Sequence, residues 1–255
     1  MRHVLALTKG ILRLIALTLA AWASALSAGE FSIVPLRVDL DRSSRSAEVT
    51  IRNDDSAPLR MQVEAMSWHQ DAEGSDRYEA DNGLIYFPRV LEIPPGESRL
   101  VRVGIRAAPV TREDAYRLFI EQLPPPSIEP APTGTTVRVL LRIGVPVFVA
   151  PAQIDRRPAI TRFDLQAGQV DLAVTNAGNV HFVADRVEVV AVAGDGSRLH
   201  AHRFQERYFL AGVSKPLKVK IPREICAKAA SLEASVIGEN LDLRRKLDVG
   251  PGACG

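Results

Sequence analysis

The stretch "TTVRVLLRIGVPVFVAP", residues 135–151, constrains the fold more than any other. Val137, Val139, Leu141, Ile143, Val145 and Val147 occupy every second position, so in an extended chain they line one face of a strand about 36 Å long at about 3.3 Å per residue. Pro146 interrupts the run. Proline has no amide hydrogen to give to a ladder, which places such a strand most easily at the edge of a sheet. A long aliphatic edge strand is also the feature that most readily recruits another chain. Periodicity alone leaves two destinations for the row: the core of its own domain, or a surface offered to a partner.

The remaining chain reads as all-β. Alternation recurs in "AEVTIRN" (Ala47, Val49, Ile51), "RLVRVGI" (Val101, Val103, Ile105) and "QVDLAVT" (Val170, Leu172, Val174). The turn-forming stretches "NDDS", "DAEG", "PPGE", "NAGN" and "GDGS" punctuate it. Helical periodicity is weak after the N-terminal segment, with "CAKAASLEAS" the one ambiguous stretch. The expected architecture is a β-sandwich, and after the leader about 227 residues suffice for two such domains of about 100 residues each. The seam is expected in "VAPAQIDRRPAI", residues 149–160, giving domains 29–150 and 151–255. No internal repeat is evident at the residue level. "PPPSIEPAPTGT", residues 124–135, is too proline-rich for a strand and reads as an extended loop.

Residues 1–28 read as a secretory signal peptide: Arg2, Lys9 and Arg13 precede or interrupt the apolar "ILRLIALTLAAWASALSA", with cleavage fitting after Ala25 or Ala28. The alternative is a membrane anchor, but Arg13 shortens the uninterrupted run below the roughly 20 residues that span a bilayer. Loss of this segment removes three of 32 basic side chains and none of the 30 acidic ones, taking the net charge from +2 to −1. A near-neutral chain gives nucleic-acid binding no support from bulk charge. Cys226 and Cys254 are the only cysteines, and in an oxidising compartment they either pair or remain two separate thiols.

An enzymatic reading would start from His181, His200, His202 and Glu206, since His200 and His202 share one face of a strand. No motif ties a third ligand to them. There is also no nucleophile elbow, phosphate-cradling glycine loop or defensible carboxylate pair. The expectation is a protein without catalytic residues, metal or cofactor.

The residues further resemble the PapD-like periplasmic pilus-assembly chaperones, most specifically in the first half. "FSIVPLRVDLD" is similar to the family's N-terminal strand, "VTIRND" to its second strand and turn, and "FPRVLEIPPGESRLVRV" to its proline-rich segment, turn and arginine-bearing strand. "REDAYRLFIEQLPPP" is similar to its sixth strand, and "VRVLLRIGVPVFVAP" falls where its seventh lies. The "VPVFVAP" wording looks most like the branch that assembles archaic or spore-coat-type pili. The cysteine pair of the long-loop branch is missing. The resemblance implies two immunoglobulin-like sandwiches in a boomerang and a periplasmic chaperone that lends its seventh strand to incomplete pilus subunits and passes them to an outer-membrane usher. It implies no ATP and no membrane insertion.

Counted back from Pro151, the donated side chains would be Val137, Val139, Leu141 and Ile143. Burying four such side chains yields on the order of 6–12 kcal/mol before ordering costs. Self-association through the same strand is one way to protect it when no subunit is bound. Arg37 falls where the family grips the subunit's C-terminal carboxylate, a task suited to a planar guanidinium. The lysine that accompanies it in better-known members is replaced by Pro146, leaving Arg142, or Arg138, as the candidate second cation. Of two interdomain arginines of the family, one falls at Arg102 and the other position holds Ala150. Phe31 and Ile33 alternate in "EFSIVP", which is either an ordinary first strand or a further strand beside the seventh. A structural or adhesive surface protein built from immunoglobulin-like modules is the competing class.

Overall fold

The computed structural model describes residues 31–107, 111–124 and 139–254. The leader 1–28, Val137 and Arg138 lie outside them, as does most of the proline-rich loop. Ten strands build the first half: β1 (Phe31–Val34), β2 (Val38–Leu40), β3 (Ser46–Asn53), β4 (Leu59–Gln70), β5 (Asp76–Ala80), β6 (Leu84–Phe87), β7 (Val90–Ile93), β8 (Ser98–Ile105), β9 (Asp114–Gln122) and β10 (Arg142–Val149). They form two sheets, ordered β1-β3-β8-β6 and β2-β10-β9-β4-β5, with β7 also pairing β4. The inward rows predicted by alternation meet between them. Val49, Ile51, Val101 and Val103 of one sheet pack against Met61, Val63, Leu118, Ile120, Val145 and Val147 of the other, all buried. The "PPGE" turn closes with Glu97 N–H donating to the Pro94 carbonyl, and Gly96 takes φ +73°, where a side chain would be strained.

The N-terminal segment is divided between the two sheets. β1 runs antiparallel to β3, with Ile33 buried in the core, and after Pro35 the chain crosses over so that β2 pairs in parallel with β10. Phe31 and Ile33 therefore sit in the sheet opposite β10. Of the two readings of this segment, the structure shows the ordinary first strand, whose alternation serves the sandwich's own core.

The second half contains β11 (Pro158–Gln166), β12 (Gln169–Asn176), β13 (Phe182–Val183), β14 (Arg186–Val192), β15 (Arg198–Phe204), β16 (Tyr208–Phe209), β17 (Ser214–Lys220), the helix α1 (Arg223–Cys226), β18 (Ser231–Gly238) and β19 (Leu241–Asp248). Sheets β11-β12-β17 and β15-β14-β18-β19 enclose a separate core that includes Phe163, Leu172, Val189, Phe209 and Leu232. The ambiguous "CAKAASLEAS" thus begins at the end of one helical turn and continues into β18. Cys226 and Cys254 form a disulfide, S–S 2.06 Å, that fastens the C-terminal turn to α1, while Gly168 N–H donates to the Ala253 carbonyl.

The two sandwiches share a device that sequence comparison within the chain did not reveal. Asn53 ends β3 and Asn176 ends β12, and both are buried. Asn53 Nδ2 donates to the carbonyls of Ala57 (2.8 Å) and Ile93 (2.9 Å), and its Oδ1 accepts from Asp55 N–H (3.0 Å). Asn176 Nδ2 donates to Val180 (2.8 Å) and Phe209 (3.0 Å), and its Oδ1 accepts from Gly178 N–H (3.0 Å). Each side chain satisfies the backbone of the turn that follows and pins it to a distant strand end.

Removing the Asn176 amide strands two buried carbonyls, and removing that of Asn53 strands the buried Ile93 carbonyl and the part-buried Ala57 carbonyl. Asn53→Ala and Asn176→Ala are each expected to cost about 1–3 kcal/mol, read as a lowered urea midpoint at unchanged m. An unchanged midpoint in both would show that water replaces these bonds at no cost.

Candidate functional site

The aliphatic row has two environments. Val145, Val147 and Val149 are sealed in the first core and Ile143 packs partly against it, whereas Leu141 is 43 % and Val139 73 % exposed. The regular strand begins only at Arg142, although Gln122 N–H still reaches the Leu141 carbonyl at 2.9 Å. Of the two destinations that periodicity leaves for the row, the structure uses both. The facing sheet covers the downstream half of the row and leaves Val139 and Leu141 uncovered.

The backbone is just as asymmetric. β9 pairs antiparallel with β10 from Arg142↔Glu121 to Val149↔Asp114, but β2 covers the opposite flank only at Val147–Val149. Gln122 N–H bonds to Leu141 and Ala150 N–H bonds to Leu40. Strand alternation then turns the odd-numbered backbone groups of β10 towards β9 and the even-numbered ones towards β2. Upstream, the even-numbered groups of Arg142 and Gly144 point to a flank that no described strand occupies, the Pro146 carbonyl being the first that the parallel pairing brings against β2. Pro146 lies where its missing N–H would have faced that open flank, which explains how the strand tolerates it.

Side chains at the same even positions share the outer face of the sheet. Pro146 is paired with Arg117 of β9, and Arg37 immediately precedes β2, whose pairing begins at Val147↔Val38, so continuing that register by one residue sets Arg37 beside Pro146. Arg37 is half-exposed and donates from Nε to Asp39 Oδ2 at 2.8 Å. Arg142 does not join it. Four residues, or about 13 Å of strand, separate it from Pro146. Its guanidinium sits 4.1 Å over the Phe119 ring, between Glu64 (3.6 Å) and Glu121 (3.4 Å).

Arg117 went unnoticed in the sequence. Its one signal was parity, which sets it with Phe119 and Glu121 on the outward face of "AYRLFIEQ". Its guanidinium lies 3.9 Å from the Trp68 ring centroid, Nη1 donates to the Gly144 carbonyl at 3.0 Å, and its buried Nε finds no acceptor among the described residues.

Downstream, this face becomes the seam between the sandwiches. Trp68 and Phe148 pack with Leu210, Val213 and Tyr208. His181 stacks on Phe148 with ring centroids 3.5 Å apart and holds Glu113, whose Oε1 lies 2.8 Å from Nδ1 and accepts the His181 N–H at 2.9 Å. Gln70 donates to the Tyr208 carbonyl (3.0 Å) and accepts Leu210 N–H (3.0 Å). Nearby, burial pushes the Tyr116 phenol up to about 12, with Asp114 and Asp81 adding to the shift. The Asp114 carboxyl is also raised, first by burial and then by Asp81 and Glu113. Asp81, Glu113 and Asp114 thus gather at the seam end, near Arg112, whereas the open end carries Arg37, Arg117 and Arg142 with Asp39, Glu64 and Glu121 beside them.

The other residues singled out by sequence are dispersed. Glu206 bonds Lys215, His202 meets the Phe204 ring edge-on, and no group of three His, Cys, Asp or Glu among the described residues is arranged to hold a metal. Arg102 lies on β8, mostly exposed and bonded to Glu48, so the expectation that it bridges the two domains is corrected.

Residues 30–155 match the family model described as "Pili and flagellar-assembly chaperone, PapD N-terminal domain". Over 186 residues the chain is 26 % identical to the "Probable fimbrial chaperone EcpE" of Escherichia coli O127:H6, covering 71 % of this chain and 73 % of that protein. Among solved structures it is similar to a chain of the CsuC–CsuE chaperone–tip adhesion subunit pre-assembly complex from archaic chaperone-usher Csu pili of Acinetobacter baumannii. There the TM-score is 0.59 at 18 % identity, with 85 % of this chain and 97 % of that chain covered. A chain of the Salmonella enterica SafA pilin–SafB chaperone complex gives 0.57 at 16 % identity, covering 88 % and 99 %. The Pseudomonas aeruginosa CupB2 chaperone gives 0.52 at 17 %, covering 84 % and 97 %.

The backbone alternation of β10 predicts its amide exchange. Amides of Ile143, Val145 and Val147 face β9 and that of Phe148 faces β2, so all four should be protected, while those of Arg142 and Gly144 should exchange at least about tenfold faster. Equal protection of Gly144 and Val145 in a monomeric sample would show the flank to be closed.

Proposed function

The chain belongs, through residues 30–155, to the pili and flagellar-assembly chaperone family, and from that premise we propose that the upstream half of β10 is lent to incomplete pilus subunits. The observation that carries this reading is the divided strand. Its downstream half is sealed by β2 and by its own core, while its upstream half keeps an open flank and the segment leading into it carries the exposed Val139 and Leu141. An extended client strand adds to that flank through main-chain hydrogen bonds. Val139 and Leu141, continued upstream by Val137, enter the client's unfinished core, and Ile143 sits at the junction of the two cores. Arg37, beside the point where β2 stops, takes the client's C-terminal carboxylate and fixes the register.

Full burial of Val139 and Leu141 gives about 3–6 kcal/mol, and Val137 adds about 1.5–3 kcal/mol, before ordering costs. The structures of relatives solved with a pilin and with a tip adhesion subunit support the same reading. On it, residues 1–28 direct the chain to the periplasm, an outer-membrane usher receives the loaded complex, and pairing between two copies guards the flank when no client is present. Separate cores on either side of 150–157 support a division into domains 29–150 and 151–255, with the second closing the cleft behind Phe148. A surface-fibre role is not favoured, because the relatives of this chain are assembly chaperones.

The test is co-production with a pilus subunit that lacks its final strand. Val139→Ser and Leu141→Ser should abolish subunit accumulation with the chaperone's melting temperature unchanged, whereas Val147→Ser should destabilise the chaperone itself. Wild-type complex yields from both exposed-site variants would sink the assignment of a lent strand. Arg37→Ala should weaken capture by about tenfold without unfolding, and an unaltered affinity would remove Arg37 from the site.

A further inference from the structure

Resting on that reading, we propose that His181 is the positioning residue through which the second sandwich holds the anchored end of β10, and that its protonation tightens this hold and with it the capture of a client. The imidazole lies between two groups of the first sandwich. Its ring stacks on Phe148 with centroids 3.5 Å and planes 12° apart, and its Nδ1 stands 2.8 Å and 3.0 Å from the carboxylate oxygens of Glu113, whose Oε1 also accepts the His181 N–H at 2.9 Å. Both side chains are nearly out of solvent, at 12 % and 5 % exposure. Phe148 belongs to the three residues of β10 that β2 covers. The second sandwich therefore grips the strand where it is fixed, just downstream of the half it offers.

A histidine side chain changes charge between about pH 5 and 8. Both of its contacts here gain from the proton. An imidazolium donates to Glu113 through a charge-assisted hydrogen bond, roughly twice as strong as one between neutral groups, and a site with little water screens the attraction weakly. Over Phe148 the same charge meets the ring face as a cation–π pair. Neutral imidazole keeps the hydrogen bond and the stack but neither charge contribution. The Asp114 carboxyl is pushed up first by burial and then by the charges of Asp81 and Glu113, so these three carboxyls lie close enough to repel one another. A proton on His181 offsets part of that repulsion, so the seam holds more firmly on the acid side of the range.

Arg112 is the other cation at this cluster, lying against the second sandwich where a Cβ on Gly212 would stand 2.7 Å from its Nη2. The further charges nearby are engaged elsewhere. His69 lies 3.4 Å from Glu79, Asp155 pairs with Arg157 at 2.9 Å and Asp185 with Arg207 at 3.7 Å. Arg117 and Arg207 lie over the Tyr208 ring, 5.3 Å and 5.8 Å from its centroid. Tyr116, whose phenol burial pushes up to about 12, stays neutral throughout. Hydrogen bonds without a titrating partner keep the seam docked at every pH. Glu113 N–H donates to the Asn179 carbonyl (2.9 Å), Asn179 Nδ2 to the carbonyls of Thr111 (2.9 Å) and Gln153 (2.8 Å), and Leu210 N–H to Gln70 Oε1 (3.0 Å). His181 thus adjusts a seam that already exists.

Hydrogen exchange of the seam-crossing Glu113 and Leu210 amides reports docking in the isotope-labelled full chain, with the core amides of Val101 and Leu232 as references. After correction for intrinsic exchange rates, the seam amides should be about tenfold better protected at about pH 5.5 than at about pH 8, with the references unchanged. His181→Gln, which keeps a side-chain donor but takes up no proton, should show equal protection at both. Glu113→Gln removes the charge that the proton answers and should do the same; it carries the comparison if His181→Gln does not fold. Capture of a pilus subunit that lacks its final strand is then measured under both conditions. The wild type should bind several-fold more tightly at the lower pH, and His181→Gln should lose that difference. Seam protection that does not change with pH in the wild type, or a change that survives in both variants, overturns the role of the proton. A pH-dependent seam with capture that shifts equally in wild type and variant overturns the positioning role. A wild type that captures no subunit at either pH overturns the lent-strand reading, and the part of this assignment that concerns capture with it.

Discussion

The hydrogen-bonding demand of one strand organises the first sandwich. β10 has two flanks; β9 satisfies one along the whole strand, and β2 satisfies the other for three residues only. That shortfall comes from the chain's own start. The N-terminal segment spends its first half as β1 in the opposite sheet, on β3, and only then crosses to β10. A segment committed to two sheets covers neither fully. The fold thereby builds an open edge into a protein whose other core strands in the same sheet, β9 and β4, are paired on both sides.

The same strand carries the aliphatic row, so the place where backbone cover ends nearly coincides with the place where side-chain cover ends. Downstream, Val145, Val147 and Val149 hold the domain together; upstream, Leu141 and Val139 are exposed and lie outside the core formed by the described residues. On the proposed reading, separating the two roles along one strand lets the upstream half change partners without unmaking the core. The opposite face is divided in the same way. Phe148 and Trp68 anchor the second sandwich through His181, Tyr208 and Gln70, while the arginines lie upstream beside the open flank.

The two sandwiches reach stability by parallel means on dissimilar sequences. Asn53 and Asn176 each tie the turn after a central strand to a distant strand end through the same pattern of two donors and one acceptor. A buried amide with every group satisfied specifies a single turn geometry. The second sandwich adds the Cys226–Cys254 bond, which fastens its C-terminal turn to α1.

By itself the sequence determined the local choices. Period-two alternation identified Val49, Ile51, Val101, Val103, Val170, Leu172 and Val174 as inward residues, because in an extended chain parity alone decides which side chains share a face. The turn-forming stretches marked where strands end, and Pro146 marked an edge, because a residue without an N–H cannot serve an inner ladder. The resemblance carried by five short motifs pointed to the family. Only the tertiary structure decided what depends on distant pairing. It showed that the row is shared between a sealed and an exposed half, that Phe31 and Ile33 lie in the far sheet, that Arg142 is held by Glu64 and Glu121, and that Arg117 stands opposite Pro146. Each of these is set by the register between strands far apart in the chain, and parity within one strand carries no information about where its neighbour stops.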